Sequence, residues 1–449
     1  MRRETSIHRI FRFWGPRALG TAVALWAITA HGAGISNPRN LRELNDSYAS
    51  PPAGRNAAEV YLKAIRDLDH EAKAGAWTNV PLCVATPLPG LGDRWSADVE
   101  SAVARLLTRH QSAWPLFVRG SERESCRYPI DLTQGAGCEL PHLSGIVNGI
   151  RFLVLRGVWN ARQHKAGAAT ESLAQALSLA NSLSQEPVML SQSVRHRGLK
   201  MITEGCSMLL SEVSLEPLQL NRLHKQLSRM AEQEATGDAW RRAALGTYLM
   251  VQGVASGSVE EKIAFLGRDE RFSSATPDSL RKRLVVGATI QDSEVLKTSV
   301  QQMLAAWSEP YPRRGRTFSQ FVEPSHGGAE GPLRFGELLA SDIAQNLSRE
   351  AQSLTYLRLI LVAIALERFA LENRGVLPSS VSELMGNEGS SAATDPFSGQ
   401  NFLYERGLDR RSYIIESVST LDSSSREART SAEQIIWLSV KKRKGEATQ

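Results

Sequence analysis

Cysteine is scarce in this chain, with four among 449 residues, at positions 83, 126, 138 and 206. No Cys-x-x-Cys pair and no Cys/His quartet at zinc spacing occurs, which excludes the common structural zinc sites. The chain also lacks His-Glu-x-x-His, Gly-x-Ser-x-Gly, a Walker-type loop and a Gly-x-Gly-x-x-Gly following a strand. No apolar run reaches the ~20 residues that cross a bilayer comfortably. The run Ala18 to Ala30 has 13, and Arg358 interrupts the apolar stretch Leu357 to Leu366. A basic body is missing as well. The net charge is +6, but the excess lies in Arg2, Arg3, Arg9, Arg12 and Arg17 at one end and Lys441, Lys442, Arg443 and Lys444 at the other. What lies between is close to neutral, so no surface tracks a phosphate backbone and no nucleic-acid partner is expected.

What is present is the composition of a folded protein, 42% hydrophobic and 22% charged, in a chain long enough for two or three packing units. The arginine-rich start, the short apolar run and the small-x-small sequence Ala30-His31-Gly32 read residues 1–33 as a signal peptide or single membrane anchor. The expected location is therefore outside the cytoplasm, periplasmic or anchored to the cytoplasmic membrane through that segment. In an exported chain, Cys126 and Cys138 flank a loop that a disulfide would close, contributing ~2.5–3 kcal/mol. Cys206 shares a helix face with Leu199, Ile202 and Leu209 and reads as a buried thiol. Cys83, in a proline-rich loop, is free or competes for Cys126.

Apolar periodicity predicts a mainly α fold. Residues 34–140 hold helices Asn56–Ala76 and Ser96–His110 among loops. Residues 141–307 form a helical body of five closely spaced helices, Leu143–Gln163, Thr170–Leu183, Val188–Glu212, Pro217–Glu232 and Asp238–Gln252, then shorter ones at Val259–Leu266 and Ser293–Trp307. Breaks this short favour an irregular antiparallel bundle, with a solenoid as the alternative; no fixed repeat period is found. Residues 308–336, with Pro310, Pro312, Pro324, Pro332 and the patch Arg313-Arg314-Gly315-Arg316, read as a solvated linker. Residues 337–440 follow as one long helix, Glu337–Asn373, and a small α+β module, before the basic tail 441–449.

In that module Gly375 suits the left-handed conformation that ends a helix, and Pro378 prevents its resumption. Ser380 and Glu383 make a capping box for a short helix, Val381–Met385. Asp395-Pro396-Phe397-Ser398-Gly399 is turn chemistry, and Phe402–Tyr404, Ser412–Val418 and Gln434–Val440 read as strands. Together with Ala365-Leu-Glu-Arg-Phe369, Asn373-Arg-Gly375, Leu377-Pro378, Glu383-Leu384, Tyr404 and Tyr413-Ile-Ile-Glu-Ser-Val418, this order resembles the globular end of the type II secretion major pseudopilins over roughly the last 90 residues. The body, through Cys126-Arg-Tyr-Pro-Ile-Asp131 and Leu140-Pro-His-Leu143, is similar to a group of exported bacterial helical proteins from which no activity carries over. Two departures limit what the resemblance implies. The N-terminus lacks the Gly-Phe-Thr-Leu-Ile-Glu type of processing sequence, so assembly into a pilus is not expected. The loop that holds calcium in pseudopilins offers only Asp422 and Glu427 here, too few for a cation that wants six to eight oxygens.

Among titratable residues, His142 lies near Cys126 and Asp131 in sequence and reads as a cap or packing histidine. His164, His196 and His224 sit beside Lys or Arg in solvated or half-buried roles, and Glu232 and Glu234 read as surface carboxylates. No catalytic residue, cofactor or metal ligand is expected. The functional expectation is an exported envelope protein that binds a protein partner or acts as a scaffold. The alternative is an envelope hydrolase whose site is assembled from residues distant in sequence.

Overall fold

The computed structural model describes residues 38–52, 54–75, 77, 80–81, 95–272, 274–287, 292–322, 332–384, 392–417 and 436–441. The N-terminal apolar run, Cys83, Asp422, Glu427 and the tail beyond Lys441 lie outside them. Among the described residues the chain is mainly helical, with one three-stranded antiparallel sheet near the C-terminus.

The first helices are α1 (Leu41–Ser47), α2 (Ala57–Lys73), α3 (Ala97–Arg109) and α4 (Trp114–Ser121). Asn40, Asn56 and Ser96 cap the first three, each accepting a hydrogen bond from a backbone N–H of the first turn. The body comprises α5 (His142–Arg162), α6 (Ala166–Asn181), α7 (Met189–Glu212), α8 (Pro217–Ala235) and α9 (Asp238–Ala255). Helix α5 is buried on most sides, between α2, α6 and α7. Glycines let these helices approach. A Cβ on Gly149 would lie 2.8 Å from Leu179 Cδ2, and one on Gly198 2.7 Å from Ile150 Cδ1. This arrangement around a central helix is a bundle.

A second apolar cluster joins α9 to α10 (Val259–Leu266), α11 (Pro277–Gly287), α12 (Asp292–Ala305), α13 (Tyr311–Val322) and α14 (Phe335–Leu347), around Trp240, Leu296, Met303, Phe318 and Phe335. Helix α13 corrects the linker reading of 308–336 for Tyr311–Val322, while residues 323–331 of that segment lie outside the described residues. Pro312 is its second residue, where an N–H has no intrahelical partner to lose. Its basic patch is not uniformly solvated either, because Arg314 is buried against Glu350. The long helix expected from Glu337 to Asn373 is two helices, α14 and α15 (Arg349–Glu372), broken at Ser348.

Helix α15 passes through the main core, and the sheet packs on it and on α7. Strands β1 (Leu403–Arg406), β2 (Tyr413–Glu416) and β3 (Trp437–Val440) pair in sequence order, with Tyr404 opposite Ile415 and Ile415 opposite Leu438. Tyr413, Ile415, Leu438 and Val440 are buried, and Tyr413 Oη donates to Glu367 Oε1 at 3.2 Å. Ser207 Oγ donates to the Ser439 carbonyl, and Lys441 N donates to Ser211 Oγ at 3.1 Å, fastening β3 to α7. The C-terminal module therefore shares its core with the helical body.

The predicted turn residues occupy the positions their chemistry suggests. Gly375 has φ 82° and donates its N–H to the Ala370 carbonyl. Asp395 is fully buried and its carboxylate accepts from Phe397 N at 3.0 Å, Ser398 Oγ at 3.2 Å and Ser417 Oγ at 2.9 Å. Pro396 and Phe397 form the turn that Gly399 (φ 71°) closes. The Pro378 carbonyl accepts from Tyr404 Oη at 3.0 Å. The capping box is shifted by one residue, since Glu383 reaches back to the backbone N–H of Ser379 rather than Ser380.

Candidate functional site

Three groups of polar side chains are gathered by this fold. The first centres on Glu186, in the turn between α6 and α7. Its carboxylate accepts from Tyr48 Oη at 3.3 Å and Ser191 Oγ at 2.5 Å, and His142 Nε2 lies 2.8 Å from Oε1. The His142 ring stacks on Tyr128 with centroids 4.4 Å apart, and Tyr128 Oη pairs with Ser182 Oγ at 2.9 Å. Cys126 borders this group, and burial pushes its thiol up to about 12. Such a thiol stays protonated at neutral pH and is a poor nucleophile. The His142–Glu186 pair has side chains 2% and 0% exposed, so it is closed to substrate and serves to tie α1, α5 and the α6–α7 turn together.

The expected disulfide is absent from the structure: Cys126 and Cys138 are both free thiols. The two side chains belong to different apolar clusters. Cys126 packs against the main core, while Cys138 packs beside Ile130, Leu140 and Leu245 on the small cluster around Leu132 and Met250. Cys206 is a buried free thiol, as its helix face suggested.

The second group is a buried double ion pair. Arg195 pairs with Glu234, which also accepts from Trp240 Nε1 at 2.7 Å, and Arg314 pairs with Glu350. Glu234 is thus a core residue and not a surface carboxylate, whereas Glu232 is exposed. Burial, reinforced by the neighbouring Glu234 and opposed by Arg314, pushes Glu350 up to about 8. Nearby, His196 Nδ1 lies 3.1 Å from Ser353 Oγ; burial, helped by Arg349 and Lys200, lowers the ring to about 3.

The third group is open to solvent. Helices α8 and α15 and the segments at 381–384 and 392–393 border a cleft of about 260 Å³ at the seam between helical body and C-terminal module. Its apolar lining includes Leu361, Val362, Ala365, Val381 and Leu384, and its polar groups are His224, Ser228, Glu232 and Arg358. Arg358 donates to the Thr394 carbonyl at 2.6 Å and is balanced by Asp395, which ties one wall to the Asp395 turn. His224, Ser228 and Glu232 stand four residues apart on α8, so their Cα atoms step by about 6 Å and His224 lies about 12 Å from Glu232. A general base must come within roughly 3 Å of the proton it moves. The row therefore lines a surface instead of converging on one atom.

Among the described residues no group of three or more His, Cys, Asp or Glu side chains could hold a metal ion, and no helix is long and apolar enough to cross a membrane. No family model matches the chain, and neither does any curated protein or solved structure. The site thus rests on its own geometry. In the sequence His224 and Glu232 read as a solvated or half-buried histidine and a surface carboxylate, and not as residues of a site. Ser228 was legible only through its four-residue spacing from both. Arg358 stood out as the lone charge in an apolar stretch, but its link to Thr394 required the fold.

Proposed function

We propose that the chain is an exported cell-envelope protein that binds a partner or acts as a scaffold, with the seam cleft as its recognition surface. The observation that carries this reading is the linear array of His224, Ser228 and Glu232 above an apolar floor, which suits an extended ligand. Pockets with an apolar lining and a few placed polar groups are the usual form of recognition sites. The export part of the reading rests on the arginine-rich start, the short apolar run and the small-x-small sequence at Ala30 to Gly32. The pseudopilin-like end serves as one wall of the cleft in this reading and not as a pilus subunit.

The test is site-specific photocrosslinking from Ser228 in the native host, with exposed Ser256 as control. A discrete product from Ser228, absent from Ser256 and lost when Ala365→Trp fills the cleft, is the expected result. Equal products from both positions, or a product indifferent to Ala365→Trp, would overturn the assignment of the cleft. Mass spectrometry of the mature N-terminus, with fractionation, tests export. A chain protected inside the cytoplasm would remove the envelope from the reading.

A further inference from the structure

Two side chains of the α8 row have no partner of their own among the described residues. On α6 and α7, Ser172, Ser178, Ser193 and Ser211 each donate to the carbonyl four residues back, at 2.7–3.1 Å. Ser228 makes no such bond. Neither its hydroxyl nor the Glu232 carboxylate is hydrogen-bonded or ion-paired among the described residues, and both border the seam cleft.

Arg358 stands on the facing wall. Arg368 Nη2 donates to Asn221 Oδ1 at 2.6 Å, where α8 and α15 run antiparallel, so further back along α15 Arg358 comes opposite Ala231 and Glu232. It makes no ion pair with Glu232. Its Nη1 donates to the Thr394 carbonyl at 2.6 Å, and Asp395 lies close enough to balance its charge. This end of the cleft therefore sets two carboxylates, Glu232 and Asp395, against one guanidinium. Asp395 is fully buried, so the carboxylate that solvent reaches is Glu232. Lys225 and Arg229 share α8 but do not border the cleft, and neither is paired with Glu232.

An ionised carboxylate accepts hydrogen bonds and cannot donate, so what Glu232 takes is a donor, and a cationic donor bonds most strongly. The spacing of the row selects the rest of the ligand. His224, Ser228 and Glu232 follow one another at about 6 Å along α8, and alternate residues of an extended peptide recur every ~6.6 Å. About five residues of extended chain thus follow the row from end to end, with Leu361, Val362 and Ala365 beneath them. A cleft of about 260 Å³ admits a short segment of this kind and not a folded domain. We propose, on the reading of the cleft as a recognition surface, that it binds an extended peptide segment with apolar side chains on the floor and a lysine or arginine at Glu232.

Blocked, fluorophore-tagged pentapeptides of valine and serine, with lysine, glutamine or glutamate at one terminus and made in both directions, test this by anisotropy with the full chain. The lysine peptide should bind about threefold more tightly than the glutamine peptide and about tenfold more tightly than the glutamate peptide, less so at high salt. Glu232→Gln should erase that preference and Glu232→Lys should reverse it; the side chain is exposed, so both variants keep the fold. Ala365→Trp, checked for folding by circular dichroism, should weaken all three peptides together. Equal binding of the lysine and glutamate peptides, a preference unchanged in Glu232→Gln, or no binding of any peptide at millimolar concentration overturns the proposal. So does a lysine preference that a folded Ala365→Trp chain retains, since the peptide then lies outside the cleft. A discrete crosslink from Ser228 in the native host alongside any of these failures leaves the cleft as a recognition surface and removes only the peptide.

Discussion

Replacing Glu186 by alanine is the sharpest test of how this fold is held together. The side chain is inaccessible to solvent, and Tyr48, His142 and Ser191 all bond to it. Alanine leaves three buried polar groups without their partner, each worth about 1–3 kcal/mol, with the 3.3 Å bond from Tyr48 at the weak end. The sum expected is about 3–5 kcal/mol. Glu186→Gln keeps the shape, one acceptor for His142 or Tyr48, and an amide that can donate to Ser191, so it should cost about 1–2 kcal/mol. Urea unfolding followed by tryptophan fluorescence and circular dichroism reads both variants against the parent chain. An alanine variant within about 1 kcal/mol of the parent would refute the idea that this carboxylate ties the N-terminal helix to the α6–α7 turn. A glutamine variant as damaged as the alanine one would transfer the effect from hydrogen bonding to charge.

Other outcomes follow from the same structure. His196 titrates near 6.5 when unfolded but is lowered to about 3 in the fold, so between these values the unfolded chain binds the extra proton. Stability should therefore fall on acidification through that window, by at most ~1.4 kcal/mol per pH unit from this ring and less where water screens it, with no contribution above it. His196→Phe should flatten that part of the pH profile, and an unchanged profile would discard the assignment. Gly237→Ala should destabilise by about 1–3 kcal/mol. Its backbone has φ 67°, and a Cβ would stand 2.3 Å from Trp307 Nε1 and 2.6 Å from Glu350 Oε1; a neutral result in urea unfolding would mean that this turn can rearrange. With Cys126 and Cys138 free, dithiothreitol should leave the unfolding midpoint in place, whereas a loss near 3 kcal/mol would restore the disulfide between them. Thiol titration of the folded chain should find Cys206 unreactive until denaturant is added.

Local chemistry decided a large part of this protein in the sequence alone. The body helices α5 to α9 were legible because their apolar residues recur every three or four positions and their breaks carry Gly, Pro or Ser. The Gly375 helix end and the Asp395 to Gly399 turn were legible for a related reason, since backbone conformation there depends on the residues themselves. Short helices α1, α4 and α11 escaped because a few turns of periodicity do not rise above the surrounding loop composition. Helix α13 escaped because Pro310 and Pro312, which signal a loop when read alone, also suit a helix start. Pairings across the chain were beyond sequence reasoning altogether. Glu186 meets Tyr48 across 138 positions, and Ser207 meets Ser439 across 232. The same holds for Glu234, a surface carboxylate by its local pattern and a buried one through Arg195 and Trp240. Which polar group is buried, and beside what, depends on which helices come into contact, and that choice is made by the summed packing of the core and not by any one segment.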